Sequence, residues 1–543
     1  MTDREPAESP CSSRGEDRTR VALCDAVVDW AIRCAEGAAE RRDFERAVRW
    51  ALVAARTASN FGGGRLVIPR IEHLLGRIGR SLPSLDGDVP SADPRVHWVH
   101  VMSEAHSVGG HTALVRRWIE LDPADATHDV VLTFQTQCVV PSLADAVAAR
   151  GGRVIPLGHV DSLVDRASQL RGLLTHAHVV VFHTHQWDVV ATAACAHADG
   201  PPVLILNHAD HEFWVGASVA DALIHIRPSG REYAARHRGG RRHLYLPVPI
   251  PEPAARNNDP IEARAAARAA LGVPLDAAVA LTIGTPFKYT PVCDADFWAC
   301  ARQILDRVQN GIIMAVGPYP HDPAIVRCAS LTGGRLLAFG IRADLPLFHE
   351  AADLYLEGFP FGSLTAMLEA AAAGLAVVRA PAPCPPPFTS DGEALQGLPQ
   401  PADFAAYVAT SAKLLSDQTA RRAEALDISA AVRRVHLGPA WAAAITAIQH
   451  AVPRGGDSGE WAPPAPVRHA HAERWAQFRA LVSGSEPVAF AKEAATELDL
   501  AMTGDWSLAV AILAARRHAR AYGARRVEWI PLWRSRPRRL ASG

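Results

Sequence analysis

The stretch EGFPFGSLTAMLEAAAAGLAVV, from Glu357 to Val378, decides the fold of the chain. An apolar strand ends in it, and the following loop contains Pro360 and Gly362, which interrupt regular structure. Ser363 stands where an N-cap residue is expected, and the segment LTAMLEAAAA behind it consists of strong helix formers. Gly374 stands where such a helix stops, and LAVV resumes β character. The stretch therefore predicts a strand–helix–strand unit.

The loop of this unit is expected at the carboxyl edge of a parallel sheet, where open α/β folds bind their ligands. Unpaired N–H groups and the positive end of the helix dipole suit a diphosphate there. Glu369, within the same helix, is placed to accept hydrogen bonds from ribose hydroxyls. The alternative is an ordinary packing unit with a surface glutamate, and we favour the nucleotide site.

Length and composition bound the class of protein. The chain has 543 residues, 49% of them apolar, and a formal net charge of −1, which fits two or three globular domains without electrostatic bias towards nucleic acid. The polar N-terminus lacks the apolar core of a signal peptide, and no apolar run is long enough to span a bilayer. The nine cysteines show no metal-ligand spacing. These features predict a cytoplasmic protein, and the Ala-, Arg- and Pro-rich composition is typical of GC-rich bacteria.

The order of predicted elements divides the chain into regions. Strands alternate with helices over most of its length, which indicates parallel sheets covered on both faces. The Pro-rich segment LYLPVPIPEPA separates two such α/β domains. The predicted regions are a disordered tail (1–20), a helical N-terminal region (21–92), a first Rossmann-like domain (93–252), a second Rossmann-like domain (253–451), a Pro/Gly linker (452–466) and a helical, basic C-terminal extension (467–543).

Polar residues gather where three strands of the first domain end. SEAHSVGGHT follows the first strand, and its paired glycines allow close backbone approach to a ligand. A single histidine in such a loop is more often a satisfied turn residue, but the carboxyl ends of parallel strands meet at one edge, which favours a shared site. We expect no metal, because the histidines lack the helical spacing of a zinc protease. The candidates are Gly109, Gly110, His111, His185, Asn207, His208, Asp210 and His211.

The second domain supplies a cation and two further strand ends. In LTIGTPFKYT, Gly284 and Lys288 follow a strand, and lysine is rare in this chain. A fixed positive charge in a dry cleft stabilises the negative charge that accumulates on a leaving diphosphate. Phe339 and Gly340 end the strand in RLLAFGIR. One lysine after a strand is commonplace, so the argument depends on its combination with the 357–378 unit.

These motifs resemble the donor-binding segments of GT-B glycosyltransferases. The match is to GFPFGS, Glu369 and AAAGLAVV, together with the Gly284–Lys288 loop, over about residues 95–450. It is similar to the glycogen-synthase-like group, and closer to the branch of the O-linked N-acetylglucosamine transferases and bacterial cytoplasmic N-glycosyltransferases. One departure is Phe361, which stands where the glycogen-synthase-like group carries a second acidic residue; Glu357 is the nearest carboxylate.

The resemblance implies a fold, a reaction and a set of roles. The fold would be α/β, with two Rossmann-like domains facing a cleft. The reaction would move a hexose or N-acetylhexosamine from a UDP-sugar to a protein, glycan or small-molecule acceptor, without metal or other cofactor. Lys288 would neutralise the diphosphate, His111 or His208 would act as the base, and the first-domain candidates would lie on the acceptor side. The donor would contact Gly284, Lys288, Phe339, Gly340, Gly362, Ser363, Leu364, Thr365 and Glu369.

Two other functions fit the same sequence. A nucleotide-sugar 2-epimerase shares the fold and would act on the donor without an acceptor. A catalytically silent scaffold would fit Phe361 and the two appended helical segments. The basic C-terminus, with Trp529 and Trp533, is compatible with an anionic membrane surface, although a solvated basic helix is favoured. We expect no nucleic-acid partner.

Overall fold

The computed structural model describes most of the two α/β domains and part of each extension. The first thirteen residues, Gly109, most of the predicted linker and most of the predicted C-terminal extension lie outside the described part. The described residues are 14–61, 65–83, 95–107, 110–197, 200–239, 242–253, 259–292, 294–384, 388–451, 461–464, 478–479 and 487–500, with the side chains of 14–20 excepted.

Three helices precede the first domain: α1 (Arg14–Glu40), α2 (Phe44–Phe61) and α3 (Pro69–Ser81). Helix α1 begins inside the region where the sequence predicts a disordered tail. Two carboxylates tie these helices to the first domain. Glu72 of α3 accepts hydrogen bonds from the backbone of Gly216 and Ser218 at 2.9 and 3.1 Å, and Glu45 of α2 accepts from Ser162 at 2.9 Å. The helical region is therefore fastened to the first sheet.

The first domain is built on a seven-stranded parallel sheet. Its order is β3-β2-β1-β4-β5-β6-β7, so the chain starts at β1, adds β2 and β3 on one side, and then adds β4 to β7 on the other. This is the doubly wound arrangement, in which ligands bind where the order reverses. The strands are β1 (Val96–Met102), β2 (Ala126–Leu132), β3 (Val154–Pro156), β4 (Val179–His183), β5 (Val203–Asn207), β6 (Ala222–His225) and β7 (His243–Tyr245).

The second domain has a five-stranded parallel sheet in the order β10-β9-β8-β11-β12. The 357–378 stretch supplies the predicted unit at one side of this sheet: Glu357 directly follows β11, and a helix leads to the edge strand β12. Gly374 ends that helix with a φ of 93°, which a side chain would disfavour. The strands are β8 (Ala278–Ile283), β9 (Gly311–Val316), β10 (Leu336–Ala338), β11 (Leu354–Leu356) and β12 (Ala376–Val378).

Helices cover both faces of each sheet. Those of the first domain are α4 (Gly110–Leu121), α5 (Pro141–Ala149), α6 (Leu163–Leu174), α7 (Val189–Cys195) and α8 (Pro228–His237). Those that follow are α9 (Pro260–Leu271), α10 (Phe297–Arg307), α11 (Pro323–Leu331), α12 (Leu345–Ala351), α13 (Leu364–Ala372), α14 (Phe404–Ser416), α15 (Gln418–His436), α16 (Gly438–Ala451) and α17 (Pro487–Glu497). Within the described residues, none of the helices is both long and apolar enough to cross a membrane.

Helix α16 returns from the second domain to the first. Trp441 of α16 is fully buried against Trp118 of α4, with ring centroids 6.1 Å apart, and its indole donates to the carbonyl of Pro247. The sequence places this helix in the second domain, whereas its buried face packs on the first sheet. The predicted α/β class, with two Rossmann-like domains facing a cleft, is confirmed by both strand orders.

Candidate active site

Lys288 joins the two loops that the sequence assigns to the donor. It lies in a short 3-10 turn, Pro286–Tyr289, which follows β8. Its Nζ donates to the carbonyl oxygen of Gly362 and to Oγ of Ser363, both at 3.1 Å. Ser363 occupies the N-cap position of α13, but its side chain makes no capping hydrogen bond. The expected cap role of this side chain is wrong, because its hydroxyl serves the lysine instead.

The surroundings of Lys288 lower the pKa of its ammonium group. The ring of Phe361 lies 5.2 Å from Nζ, so the position that carries an acid in the glycogen-synthase-like group is here a cation–π partner. Burial, with a smaller contribution from Arg227, lowers the pKa of Lys288 to about 8 against the opposing effect of Glu357. Such a cation gains most when an anion enters the cleft.

Glu357 supports the loop that contains Gly362. Its carboxylate is 1% exposed and accepts hydrogen bonds from the backbone N–H groups of Ala380 and Ser390, at 2.7 and 2.9 Å. Gly362 lies against the same carboxylate so closely that a Cβ would collide with it. Burial raises the pKa of Glu357 despite those hydrogen bonds. Glu357 is therefore a structural support of the loop.

The other predicted donor residues line the carboxyl edge of the second sheet. The N–H of Gly317 donates to the carbonyl of Gly340 at 2.7 Å, and the N–H of Gly284 donates to Val316 at 3.0 Å. Gly340 has a φ of 64°, and a Cβ there would press on the ring of Tyr319. Phe339 turns inward and packs on Phe348, with ring centroids 5.0 Å apart. The edge thus runs continuously from the strand end at Gly340 to the Lys288 loop.

Arg227 is a second cation near Lys288 that sequence reasoning missed. It lies two residues after the end of β6, is 7% exposed, and donates from Nε to Oδ2 of Asp210 at 3.0 Å. It also donates to the carbonyl of Thr389 in the second domain at 3.1 Å. Burial opposes its charge, but Asp210 outweighs that effect and raises the pKa of Arg227. A polar residue two positions after a buried strand was the sequence signal that could have identified it.

The predicted catalytic histidines of the first domain form a stacked pair. The rings of His111 and His208 lie 4.6 Å apart between centroids, with an angle of 25° between their planes. The His185 ring is 6.2 Å from that of His111. Burial lowers the pKa of both stacked histidines, and that of His111 falls well below its usual range. Two neutral imidazoles therefore lie at the carboxyl edge of the first sheet, where either can accept a proton.

The remaining acceptor-side candidates are Asn207, Asp210 and His211, of which His211 contacts the second domain. Asn207 is 1% exposed and its amide is held by Trp214 and His225, so it supports the sheet edge. The carboxylate of Asp210 forms ion pairs with Arg227 and His211. His211 reaches the second domain, where its ring lies 5.2 Å from that of Phe361. Burial opposes its charge, but hydrogen bonds to Asp210 and Glu212 raise the pKa of His211.

One group of side chains in the cleft has the composition of a metal site. Glu104, His106 and His185 each place a ligand atom within 4.8 Å of the others. The guanidinium of Arg56 interacts electrostatically with both Glu104 and His185, which disfavours a second cation there. Burial, aided by neighbouring cationic groups, lowers the pKa of His185 to about 4. We retain the expectation that the site works without a metal.

Two contacts across the cleft join the two domains. The guanidinium of Arg117, on α4, lies 3.1 Å from Oε1 of Glu369, on α13. A Cβ added to Gly110 would lie 3.9 Å from Oγ1 of Thr365, so the first turns of α4 and α13 face each other. Leu364, at the start of α13, is half-buried among apolar side chains of the second domain. The predicted donor and acceptor sides therefore meet at these two helices.

Phe478, from the predicted C-terminal extension, packs on the Phe361 ring that contacts the lysine. It is 1% exposed, and its ring stacks on that of Phe361 with centroids 6.1 Å apart and 17° between the planes. Phe388 and Phe287 complete the aromatic cluster, at 6.4 and 6.2 Å. Arg479 donates to the backbone carbonyl of Asn60, at the end of α2, at 3.0 Å. A segment distant in sequence thus contributes to the candidate site.

No family model matches the chain, and no curated protein sequence matches it. Several solved structures are similar. HepE of Anabaena, in complex with UDP and glucose, is 14% identical with a TM-score of 0.49, over 65% of this chain and 99% of that one. Sucrose-phosphate synthase of Thermosynechococcus elongatus is 15% identical with a TM-score of 0.45, over 65% and 98%. The O-GlcNAc transferase of Thermobaculum terrenum is 16% identical with a TM-score of 0.38, over 91% and 83%. All three TM-scores lie below 0.5, and at these identities the likeness does not extend to a shared activity.

Proposed function

We propose that the protein is a glycosyltransferase that moves a sugar from a nucleoside diphosphate donor to an acceptor held by the first domain. The observation that carries the proposal is the placement of Lys288, whose Nζ binds the loop at the start of α13 on the carboxyl edge of the second sheet. A diphosphate at that loop would meet the lysine, the N-terminus of α13 and the nearby guanidinium of Arg227. Since these groups are fixed and buried, they would stabilise charge on the leaving diphosphate.

The acceptor would lie against the stacked histidines. A sugar transferred to a hydroxyl or amide requires that the acceptor lose a proton. The neutral His111 and His208 supply two nitrogens suited to take it. Positive charge for the diphosphate comes from Lys288 and Arg227, so the proposed reaction needs no metal. Hexosyl or N-acetylhexosaminyl transfer from a UDP-sugar is the first reaction to test, as the sequence resemblance implies.

Nucleotide binding tests the proposal directly. UDP, GDP, ADP and TDP are titrated into the protein by calorimetry, with Lys288→Ala as the test variant and Lys413→Ala as the control, since Lys413 is exposed on α14. We expect one nucleotide to bind, at least ten-fold more weakly to Lys288→Ala and equally to the control. Absence of binding by all four would contradict a donor site and support the scaffold function.

The reaction then separates the transferase from the epimerase. The protein is incubated with the UDP-sugar alone and with candidate acceptors, and the products are analysed by mass spectrometry and NMR. A transferase forms glycosylated acceptor, and hydrolyses donor slowly when acceptor is absent. Interconversion of UDP-sugars without acceptor would instead assign the epimerase function.

A further inference from the structure

Three histidines and one aspartate form a continuous buried chain beneath the stacked pair. Nε2 of His183, at the end of β4, lies 3.0 Å from Nδ1 of His100 in β1. Nε2 of His100 lies 3.0 Å from Nδ1 of His128 in β2, and Nε2 of His128 lies 3.1 Å from Oδ2 of Asp122. All four side chains are buried. This row of four side chains therefore runs diagonally through the first sheet, from its carboxyl edge to the loop before β2.

The strand register explains how the four groups meet. His183 is paired with Met102 and His128 with Trp98, so each histidine is two residues from its neighbour along the strands and on the same face. That face otherwise packs apolar side chains such as Trp118. Burying an imidazole in such a place is costly unless its nitrogens are hydrogen-bonded. Apolar residues would stabilise a purely structural core at least as well, so these buried polar side chains require a functional explanation.

The carboxylate at one end fixes every proton along the chain. Asp122 is held by the N–H of Ala124 and the amide of Gln449, and its carboxylate can only accept a hydrogen bond. Nε2 of His128 has no well-aligned hydrogen-bond partner among the described residues, but only an N–H is favourable 3.1 Å from a carboxylate. Nδ1 of His128 is then left to accept from His100. The same step repeats at His183. Each ring is therefore an Nε2–H tautomer that donates towards Asp122.

The pKa directions agree with this proton order. Burial lowers the pKa values of His100 and His183 well below their usual range, so both rings stay neutral. For Asp122, burial opposes the charge, but the hydrogen bonds from His128 and Ala124 outweigh it and lower the pKa of the carboxyl. A neutral pair of imidazoles and an ionised carboxylate are what the order of protons requires.

The far end of the chain meets the cleft at His111. The backbone of His183 is a hydrogen-bond partner of the His111 ring, and it favours the protonated ring as a carbonyl acceptor does. Nε2 of His111 is buried and has no hydrogen-bond partner among the described residues. Nδ1 of His111 is thus the nitrogen that donates to His183, and Nε2 carries the lone pair. The ring of His111 lies 6.5 Å from that of His183 and 4.6 Å from that of His208.

We propose that Asp122, His128, His100 and His183 form a positioning relay that holds His111 in the tautomer whose Nε2 accepts the proton of the acceptor. The relay fixes the ring and backbone of His183, and the His183 carbonyl then fixes the N–H of His111. The same logic operates where a carboxylate orients a catalytic imidazole directly; here three imidazoles and a carbonyl lie between the two. The catalytic half of the proposal rests on the proposed function, whereas the proton order does not.

The proton order is tested in the protein without substrate. Histidine is labelled with ¹⁵N, its ring signals are assigned by single His→Gln variants, and long-range ¹H–¹⁵N spectra report which nitrogen of each ring is protonated. We expect Nε2–H at His128, His100 and His183, and Nδ1–H at His111. An Nδ1–H form of His128 or His183 in the unmodified protein would overturn the relay, whatever the variants do.

A matched pair of variants tests the coupling. Asp122→Asn keeps the shape of the side chain but removes the carboxylate that sets the order. Asp129→Asn is the control, since Asp129 lies on β2 next to His128 and also pairs with a histidine, His97 at 3.2 Å, but points to the other face of the sheet. We expect Asp122→Asn to mix the tautomers of His100 and His183, and Asp129→Asn to leave them unchanged.

Kinetics test the catalytic half. We expect kcat to fall roughly ten-fold in Asp122→Asn with the donor KM unchanged, as when outer partners of a catalytic group are lost. An unchanged kcat in a folded Asp122→Asn whose tautomers are mixed would overturn the positioning role. A protein with ordered tautomers but no transfer of any sugar would refute the proposed function, and the catalytic half with it, while the proton order would stand.

Discussion

The guanidinium of Arg117 and the carboxylate of Glu369 lie 3.1 Å apart and join helices α4 and α13 from opposite domains. Arg117 also donates to the carbonyl of Pro249, where the chain leaves the first domain, at 2.9 Å. Both side chains are largely buried. Glu369 therefore has a partner on the acceptor side of the cleft, in addition to the ribose that the sequence assigns to it.

Substitution of each partner separates these two roles. If Glu369 binds ribose, Glu369→Ala should weaken UDP binding about ten-fold, because a hydrogen bond to a charged group is lost. Arg117→Ala should weaken it less than three-fold. Calorimetry with pyrophosphate, which lacks ribose, is the internal control and should show no effect of Glu369→Ala. Equal losses of UDP affinity in the two variants would instead assign Glu369 to domain closure alone.

The lowered pKa of Lys288 predicts a pH dependence of donor binding. The free protein loses the lysine charge as the pH rises through about 8, so affinity for UDP should fall above that pH by up to ten-fold per unit. Lys288→Met should bind weakly and show no such fall. Titrations at half-unit steps between pH 7 and 10 provide the measurement. An affinity that stays constant over this range in the unmodified protein would exclude a role for the Lys288 charge.

The same shift has a consequence for stability. Between about pH 8 and the usual lysine value of 10.5, the unfolded chain retains a proton that the folded protein has released. Stability should therefore rise with pH in this window, in the absence of nucleotide. Lys288→Met lacks the titrating group, and its free energy of unfolding should lack this rise.

Sequence patterns predicted the fold well, because alternating strands and helices are a local signal. The Gly284–Lys288 loop and the 357–378 unit meet as expected. Arg227 was missed because its role depends on hydrogen bonds to Asp210 and Thr389, which lie near it only in the folded protein. His100 and His128 were missed because they lie inside strands, and their contact depends on a strand register that one sequence does not specify.

Phe478 could not be predicted as a site residue, because the rings that it contacts are far away in the sequence. Its ring stacks on Phe361, which in turn contacts Lys288, so Phe478→Ala should open the cleft and speed UDP association in stopped-flow measurements. The pH at which UDP affinity begins to fall should rise by about one unit, since Lys288 becomes less buried. Phe490→Ala is the control, because Phe490 packs on Phe61 instead, at 5.4 Å. Unchanged association in Phe478→Ala would show that the ring does not limit access.

The buried histidines predict loss of stability in mild acid. Eight of them have pKa values lowered by burial: His100, His111, His183, His185, His208, His225, His349 and His436. Below about pH 6.5 the unfolded chain protonates these rings while the folded protein does not, so acid favours unfolding. Three buried carboxyls with raised pKa values, Glu72, Asp188 and Glu357, act in the opposite sense.

The balance between these groups can be measured as proton uptake on unfolding. Eight histidines act in one sense and three carboxyls in the other, so unfolding should take up protons between pH 6.5 and 4, each worth about 1.4 kcal/mol per pH unit. Urea unfolding at a series of pH values gives the slope. His225→Phe should lower the uptake by about one proton, whereas His450→Gln, exposed on α16, should leave it unchanged. A net uptake below one proton would mean that the buried imidazoles are protonated in the folded protein, which would also contradict the neutral base proposed for the cleft.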